Sequence, residues 1–346
     1  MTDASWEALS NQAVAACGVV YFLALMVHLI EWSAITGRRE RAAEVATSSS
    51  TGASASVAPS TSGGVALATG GPSDSAAREQ RVALFGRMGF LLTGLAVLVH
   101  LVALVARGMA ADPNRVPWGN MYEFALAGTF VVAGLYVVLY RRLSLAWMAP
   151  LVVGFVTVML MLSVLVLYDP VAPLTEALNS PWLVIHVMAA ILATGAFTLG
   201  GFTSAVYLAK SRWPEARVLA RTPTLAALDR VSYRIHAFGF PVWTFAVLIT
   251  GPIWAHQAWS AYWSWDPKEV WAFITWVVYA AYLHARATAG WKGRNAAILA
   301  LVGVATLWFN FIGINYFSST SQHSYASAPA AIVQVVEAPV DALTRA

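Results

Sequence analysis

The sequence predicts an all-α, polytopic integral membrane protein of about eight transmembrane helices, with both termini outside. Three observations lead there. Hydrophobic residues fill 59% of the 346 positions and charged residues only 11%, against roughly 25% charged in soluble domains. Several apolar runs reach the ~20 residues that a helix needs to cross a bilayer. Basic residues are also split unevenly between the loops. Arg107, Arg115, Lys268 and Arg345 fall on one side, and the other 17 of the 21 Lys and Arg residues on the opposite one. The populated side is then cytoplasmic.

The first apolar run, Val14 to Trp32, follows Asp3 and Glu7 and precedes Arg38, Arg39 and Arg41. A cleavable signal peptide carries its positive charge on the other flank, so residues 1–36 read as an uncleaved N-terminal helix. Residues 37–80 are dominated by Ala, Ser, Thr and Gly. With no periodicity and little apolar surface to bury, they read as a disordered cytoplasmic linker. Further spans follow at approximately 83–107, 120–140, 145–168, 182–210, 235–256, 267–284 and 295–317. Residues 81–325 form a seven-helix membrane domain on this reading, and 326–346 an external tail.

Several function classes are excluded. The net charge of +4 sits in short loops between spans, where it orients the helices in the lipid bilayer, and no nucleic-acid partner is implied. A single cysteine, Cys17, rules out a disulfide framework, a CxxC redox centre and a thiolate metal site. There is no Ser–His–Asp arrangement, phosphate-binding glycine loop or HExxH motif. Glu31, Glu123 and Asp169 lie near span ends, where exposure is expected.

The stretch from Trp254 to Trp271 packs five of the fifteen tryptophans between two apolar runs: Trp254, Trp259, Trp263, Trp265 and Trp271. An interfacial belt explains single tryptophans, but here they are mixed with His256, Asp266, Lys268 and Glu269. Large flat faces beside a few charges suit a flat apolar ligand with a charged edge, and porphyrin is the obvious candidate. Asp266-Pro267-Lys268-Glu269 also has a plain role as a helix start. Asp serves as N-cap, Pro fits the first position and Glu closes a capping box. Lys268 can meet a propionate or snorkel to headgroups, and the helix N-terminus itself favours an anion.

A histidine within a span is costly enough to mark a candidate site, although an interhelical hydrogen bond is the plainer role. His186 lies one turn into the helix opened by Asn179-Ser180-Pro181, and His323 follows the last span. Both can reach the Trp-rich stretch from either side, the geometry of two axial ligands on one haem iron. His284 lies about 24 Å from Lys268 along its helix, so it can only serve a second, inner site. His28, His100, His236 and His256 carry no assignment.

These residues resemble the tryptophan-rich (WWD-domain) haem-handling proteins of cytochrome c biogenesis, of the CcsA/ResC type. The resemblance runs from Arg78 to Tyr325. It rests on Pro117-Trp-Gly-Asn-Met-Tyr-Glu123, Trp182-Leu-Val-Ile-His186, Trp254 to Trp271, Tyr282-Leu-His284-Ala-Arg286, and Gly313-Ile-Asn315 through His323-Ser-Tyr325. Ser260 stands where glycine is common. The resemblance implies a bacterial plasma-membrane protein that holds haem b on the outer WWD surface between His186 and His323. It places a possible inner haem ligand at His284, completed by a CcsB/ResB-type membrane subunit. It also implies thioether attachment of haem to the CxxCH of apocytochrome c, supported by a thioredoxin-like thiol reductant. Three other readings stay open: a haem chaperone or exporter without synthase activity, a b-type cytochrome in electron transfer, and a scaffold whose tryptophans are only an interfacial belt.

Overall fold

The computed structural model describes residues 1–51, 72–174, 178–318 and 321–322, and all regular structure among them is helical. In chain order the α-helices are α1 (Asp3–Thr51), α2 (Pro72–Met109), α3 (Met121–Leu139), α4 (Ala149–Val166), α5 (Pro181–Arg212), α6 (Leu225–Thr244), α7 (Gly251–Trp259), α8 (Pro267–Ala287), α9 (Arg294–Trp308) and α10 (Ile314–Phe317). A π turn, Phe245–Thr250, joins α6 to α7 as one rod, and another, Phe309–Gly313, joins α9 to α10.

Seven of these rods are long and apolar enough to cross a membrane. The eighth, α8, has 21 residues, about 31 Å of helix, but its Trp, Tyr and His content lowers its hydropathy. Helix also reaches into both ends of the segment that the sequence predicts as a linker. The Arg-, Glu- and Ala-rich stretch after Gly37 carries α1 to Thr51, in keeping with the high helix propensity of those residues. Residues 52–71 and the tail 326–346 lie outside the described residues.

Local chemistry sets the helix starts. Asn120 Oδ1 accepts from Glu123 N–H at 2.9 Å, and Ser180 Oγ accepts from Trp182 N–H at 3.2 Å ahead of Pro181. The capping box at Asp266 and Glu269 forms as the sequence predicts. The most enclosed span is α5, which packs against α3, α6, α7 and α9. A Cβ at Gly200 of α5 would come within 2.5 Å of the His236 ring, so only glycine lets α6 approach this closely. Cys17 is buried and packs as a small side chain, as expected.

Two ionic clusters tie the rod ends together. At one end, Arg107 Nε donates to Glu123 Oε1 at 3.0 Å, and Arg115 Nη1 donates to Glu123 Oε2 at 2.7 Å. Gly119 N–H also donates to Oε2, Arg107 reaches Glu7 at 3.4 Å, and its remaining amino group donates to the Asp169 carbonyl. The heads of α1 and α3 are thereby fastened to the foot of α2 and to the chain beyond α4. At the other end, Arg221 pairs with Glu31, and Arg286 forms a bidentate pair with Asp229 at 2.8 and 3.0 Å.

Two carboxylates therefore depart from the expectation of exposure: Glu123 is fully buried and Glu31 nearly so. Burial is tolerable because each meets a guanidinium. Asp169 is exposed, as expected. The intramembrane histidines His28 and His100 contact neighbouring helices. His28 Nε2 lies 3.3 Å from Thr93 Oγ1, and His100 Nδ1 lies 3.5 Å from Tyr21 Oη. His236 Nδ1 donates to Ser232 O, within its own helix.

Glu123→Ala strips the buried Arg107 of its nearest carboxylate and leaves it only the partly exposed Glu7. The expected cost is about 3–5 kcal/mol, read as a lowered thermal midpoint and reduced yield in detergent. A variant that melts with the parent would show that the cluster contributes no net stability.

Candidate functional site

At the end of the bundle marked by the Arg107–Glu123 cluster lies a cavity of about 180 Å³. Its walls come from the α2–α3 loop (Trp118), α5 (His186, Val187, Ala190), the α6–α7 rod (Trp243, Val247, Trp254), the α7–α8 connection (Tyr262, Trp263), α8 (Lys268, Ala272) and the α9–α10 rod (Asn310, Phe311). The lining is mostly apolar and aromatic, with a few polar groups.

The π turn at 245–250 shapes one wall. Pro252 has no N–H and its ring crowds the carbonyl four residues back, so the helix widens there. The Ala246 carbonyl takes the five-residue bond from Gly251 N–H, and it also accepts from His186 Nδ1 at 3.0 Å. A carbonyl can only accept, so Nδ1 carries a proton, and in the neutral ring Nε2 is the lone-pair nitrogen. Metal-binding histidines are oriented by this kind of backbone bond. Trp254, buried, stacks against the imidazole at 5.9 Å and 14°. Gly251 makes room for it: a Cβ there would sit 3.2 Å from His186 Cε1.

The predicted site residues divide. His186, Trp254, Trp263 and Lys268 meet at the cavity. Trp259 backs Trp254 edge-on at 4.9 Å, and Trp271 packs on Phe309 at 4.2 Å, outside the lining. Trp265 is 74% exposed and meets Trp263 edge-on at 5.9 Å. Asp266 is buried at the head of α8, while Lys268 is half-buried and donates through Nζ to Asn315 Oδ1 at 2.8 Å. His284 is exposed in the last turn of α8, at the opposite end. His323 lies outside the described residues. His256 is exposed and stacks on Tyr262 at 4.2 Å, at the rim.

The α7–α8 connection is strained and pinned. Ser260 and Trp265 both adopt positive φ, 58° and 59°, a region that disfavours side chains with a Cβ. The Glu269 carboxylate holds the connection by accepting from Ser264 N–H at 2.9 Å, Ser264 Oγ at 3.3 Å and Asp266 N–H at 3.1 Å.

Sequence reasoning passed over Trp118, Tyr262 and Asn310. Asn310 is buried, and its Oδ1 has no hydrogen-bond partner among the described residues, which costs about 1–3 kcal/mol when nothing else satisfies it. An amide inside an apolar span was the available signal. Among the described residues no group of three His, Cys, Asp or Glu side chains could hold a bare metal ion. One oriented imidazole, flat aromatic walls and a cation instead fit a planar, metallated macrocycle with an anionic edge.

Fold and site together define a polytopic helical membrane protein with an aromatic-walled, histidine-bearing cavity at one end of the bundle. Residues 118–321 match the cytochrome C assembly protein family. The chain is 31% identical over 310 residues to the cytochrome c biogenesis protein CcsA of Gloeobacter violaceus, covering 72% of this chain and 89% of that protein. To the CcsA of Microcystis aeruginosa it is 32% identical over 285 residues, covering 67% and 86%. Among solved structures, its fold resembles cytochrome c heme lyase CcmF, with a TM-score of 0.55 and 15% identity over 91% of this chain. The chain spans 49% of that protein, and this likeness is one of fold. The chain belongs to the cytochrome c assembly protein family.

Ser260→Gly should relieve about 1 kcal/mol of left-handed strain and raise the melting temperature in detergent by about 2 °C. An unchanged or lower midpoint would show that the Ser260 side chain contributes something that glycine lacks.

Proposed function

We propose that this chain is the haem-presenting subunit of a holocytochrome c synthase of the haem lyase type. It works with a CcsB/ResB-type membrane subunit to join haem to the CxxCH cysteines of apocytochrome c. The observation that carries this reading is His186, whose ring is turned by the Ala246 carbonyl against a cavity walled by Trp118, Trp254 and Trp263. Haem is the substrate, supplying an iron for ligation and two vinyl groups for thiol addition.

Each role follows from a side chain. His186 Nε2 ligates the iron on one side, and His323 ligates it on the other. The aromatic walls present flat faces and exclude water, and Lys268 offsets the charge of a propionate. The exposed Trp265 extends the aromatic face beyond the cavity. Thioether formation adds each cysteine S–H across a vinyl C=C, with sulfur bonding one carbon and the proton ending on the other. The protein's single cysteine, Cys17, is buried within α1, so the apocytochrome supplies the sulfur and this chain supplies position. Holding the reacting groups together is worth several orders of magnitude by itself. A thioredoxin-like reductant keeps the CxxCH thiols reduced.

The loop charge bias supports placing the cavity end on the outer face, in a membrane that the family resemblance makes the bacterial plasma membrane. Exposed on the inner end of α8, His284 is suited to an inner haem shared with the partner subunit.

The test is the absorption spectrum of the protein purified with its partner. His186→Ala and His323→Ala should each lose low-spin haem and regain it with imidazole. His284→Ala should instead lower total haem content without changing the low-spin signature of what remains. If all three retain wild-type haem and spectrum, the ligand assignment is wrong. If haem binds but no covalent cytochrome c forms in the reconstituted pair, the role is haem delivery alone.

A further inference from the structure

The carboxylate of Asp266 does more than start a helix. A cap needs one oxygen, and Oδ1 fills that role by accepting from Lys268 N–H at 2.9 Å. The same oxygen accepts from Ser321 Oγ at 2.8 Å, and Oδ2 accepts from Gln322 N–H at 2.6 Å. Both of these donors come from the segment that follows the last span, 55 and 56 residues further along the chain. Asp266 is only 5% exposed and Ser321 8%, so these charge-assisted bonds form out of water, where they are strongest. Next door, Lys268 Nζ holds Asn315 near the end of the same rod. The head of α8 therefore grips the last span and the chain beyond it at two separate levels. The residue after Gln322 is His323.

We propose that Asp266 is a positioning residue: its carboxylate fastens residues 321–322 to the head of α8 and so fixes where the chain stands as it enters His323. The inference rests on the reading of His323 as an iron ligand. It ties the tryptophan-rich segment on one rod to the chain that leads into the histidine after another, through a single carboxylate. Holding a ligand through a neighbouring group in this way is worth about 10–100-fold in affinity for the metal centre.

The experiment separates capping from fastening. Asp266→Asn keeps a good N-cap, but its amide cannot accept from Lys268, Ser321 and Gln322 together as the carboxylate does. The double variant Ser321→Ala with Gln322→Pro leaves Asp266 and the cap untouched and removes both donors of the segment. Each is prepared in the full chain with its partner subunit, titrated with haem, and compared with His323→Ala. The expected result is a folded protein in all three, with a melting temperature lowered by a few degrees in the two fastening variants, haem affinity weakened about 10–100-fold, and low-spin haem restored by imidazole. Limited proteolysis of the haem-free protein gives an independent readout: cleavage after the last span should speed up in both fastening variants and stay at the parental rate in His323→Ala. If the double variant binds haem like the parent while His323→Ala does not, Asp266 is a cap alone and the inference falls. If His323→Ala itself keeps the parental spectrum, the ligand reading fails and takes this inference with it.

Discussion

The first turn of α8 is the constraint on which the remaining architecture hangs. Three polar roles sit within four residues, on Asp266, Lys268 and Glu269. Glu269 gathers the backbone of the preceding connection. Lys268 crosses to Asn315 on the last rod, and Asp266 holds the chain beyond that rod. A helix N-terminus has unpaired N–H groups and a partial positive charge, so two carboxylates at this point are stabilised rather than merely tolerated. The cavity wall, the strained aromatic loop and the end of the membrane domain are thus organised from one helical turn.

The Arg107–Glu123 cluster plays the matching role on the other side of the cavity. Glu123 accepts from two arginines and from Gly119 N–H, which fixes the loop carrying Trp118. Because charges buried without partners are expensive, the loop has few alternative conformations. The cavity is walled by connections held this way at both edges, which is what an orientation-based chemistry needs. A flat ligand gains little from aromatic faces that move.

Much of this was legible in the sequence. The apolar runs gave the spans, because a bilayer imposes one length on every crossing. Asp266-Pro267-Lys268-Glu269 read as a helix start because capping is local. The tryptophan cluster read as a candidate site because its density and its mixture with charges exceed an ordinary interfacial belt, although the charges also have a plain role as a helix start. What stayed hidden depends on distant partners. Nothing near Glu31 announces Arg221, 190 residues away, so its burial was not visible. Trp259 and Trp271 share the composition of Trp254 and Trp263, but only the fold decides that the first pair packs behind the cavity wall. The carboxylate of Asp266 read as a helix cap and as a candidate ligand contact, and neither reading reveals its bonds to Ser321 and Gln322.

The two π turns set the phase of the helices that reach the cavity. Each inserts one residue into an otherwise continuous rod, so the helix beyond it is rotated by about 100° relative to the part before. In the α6–α7 rod, Trp243 before the turn and Trp254 after it both reach the cavity, although the two halves of the helix are out of phase. The bundle is in effect two registers spliced together, one on each side of each π turn.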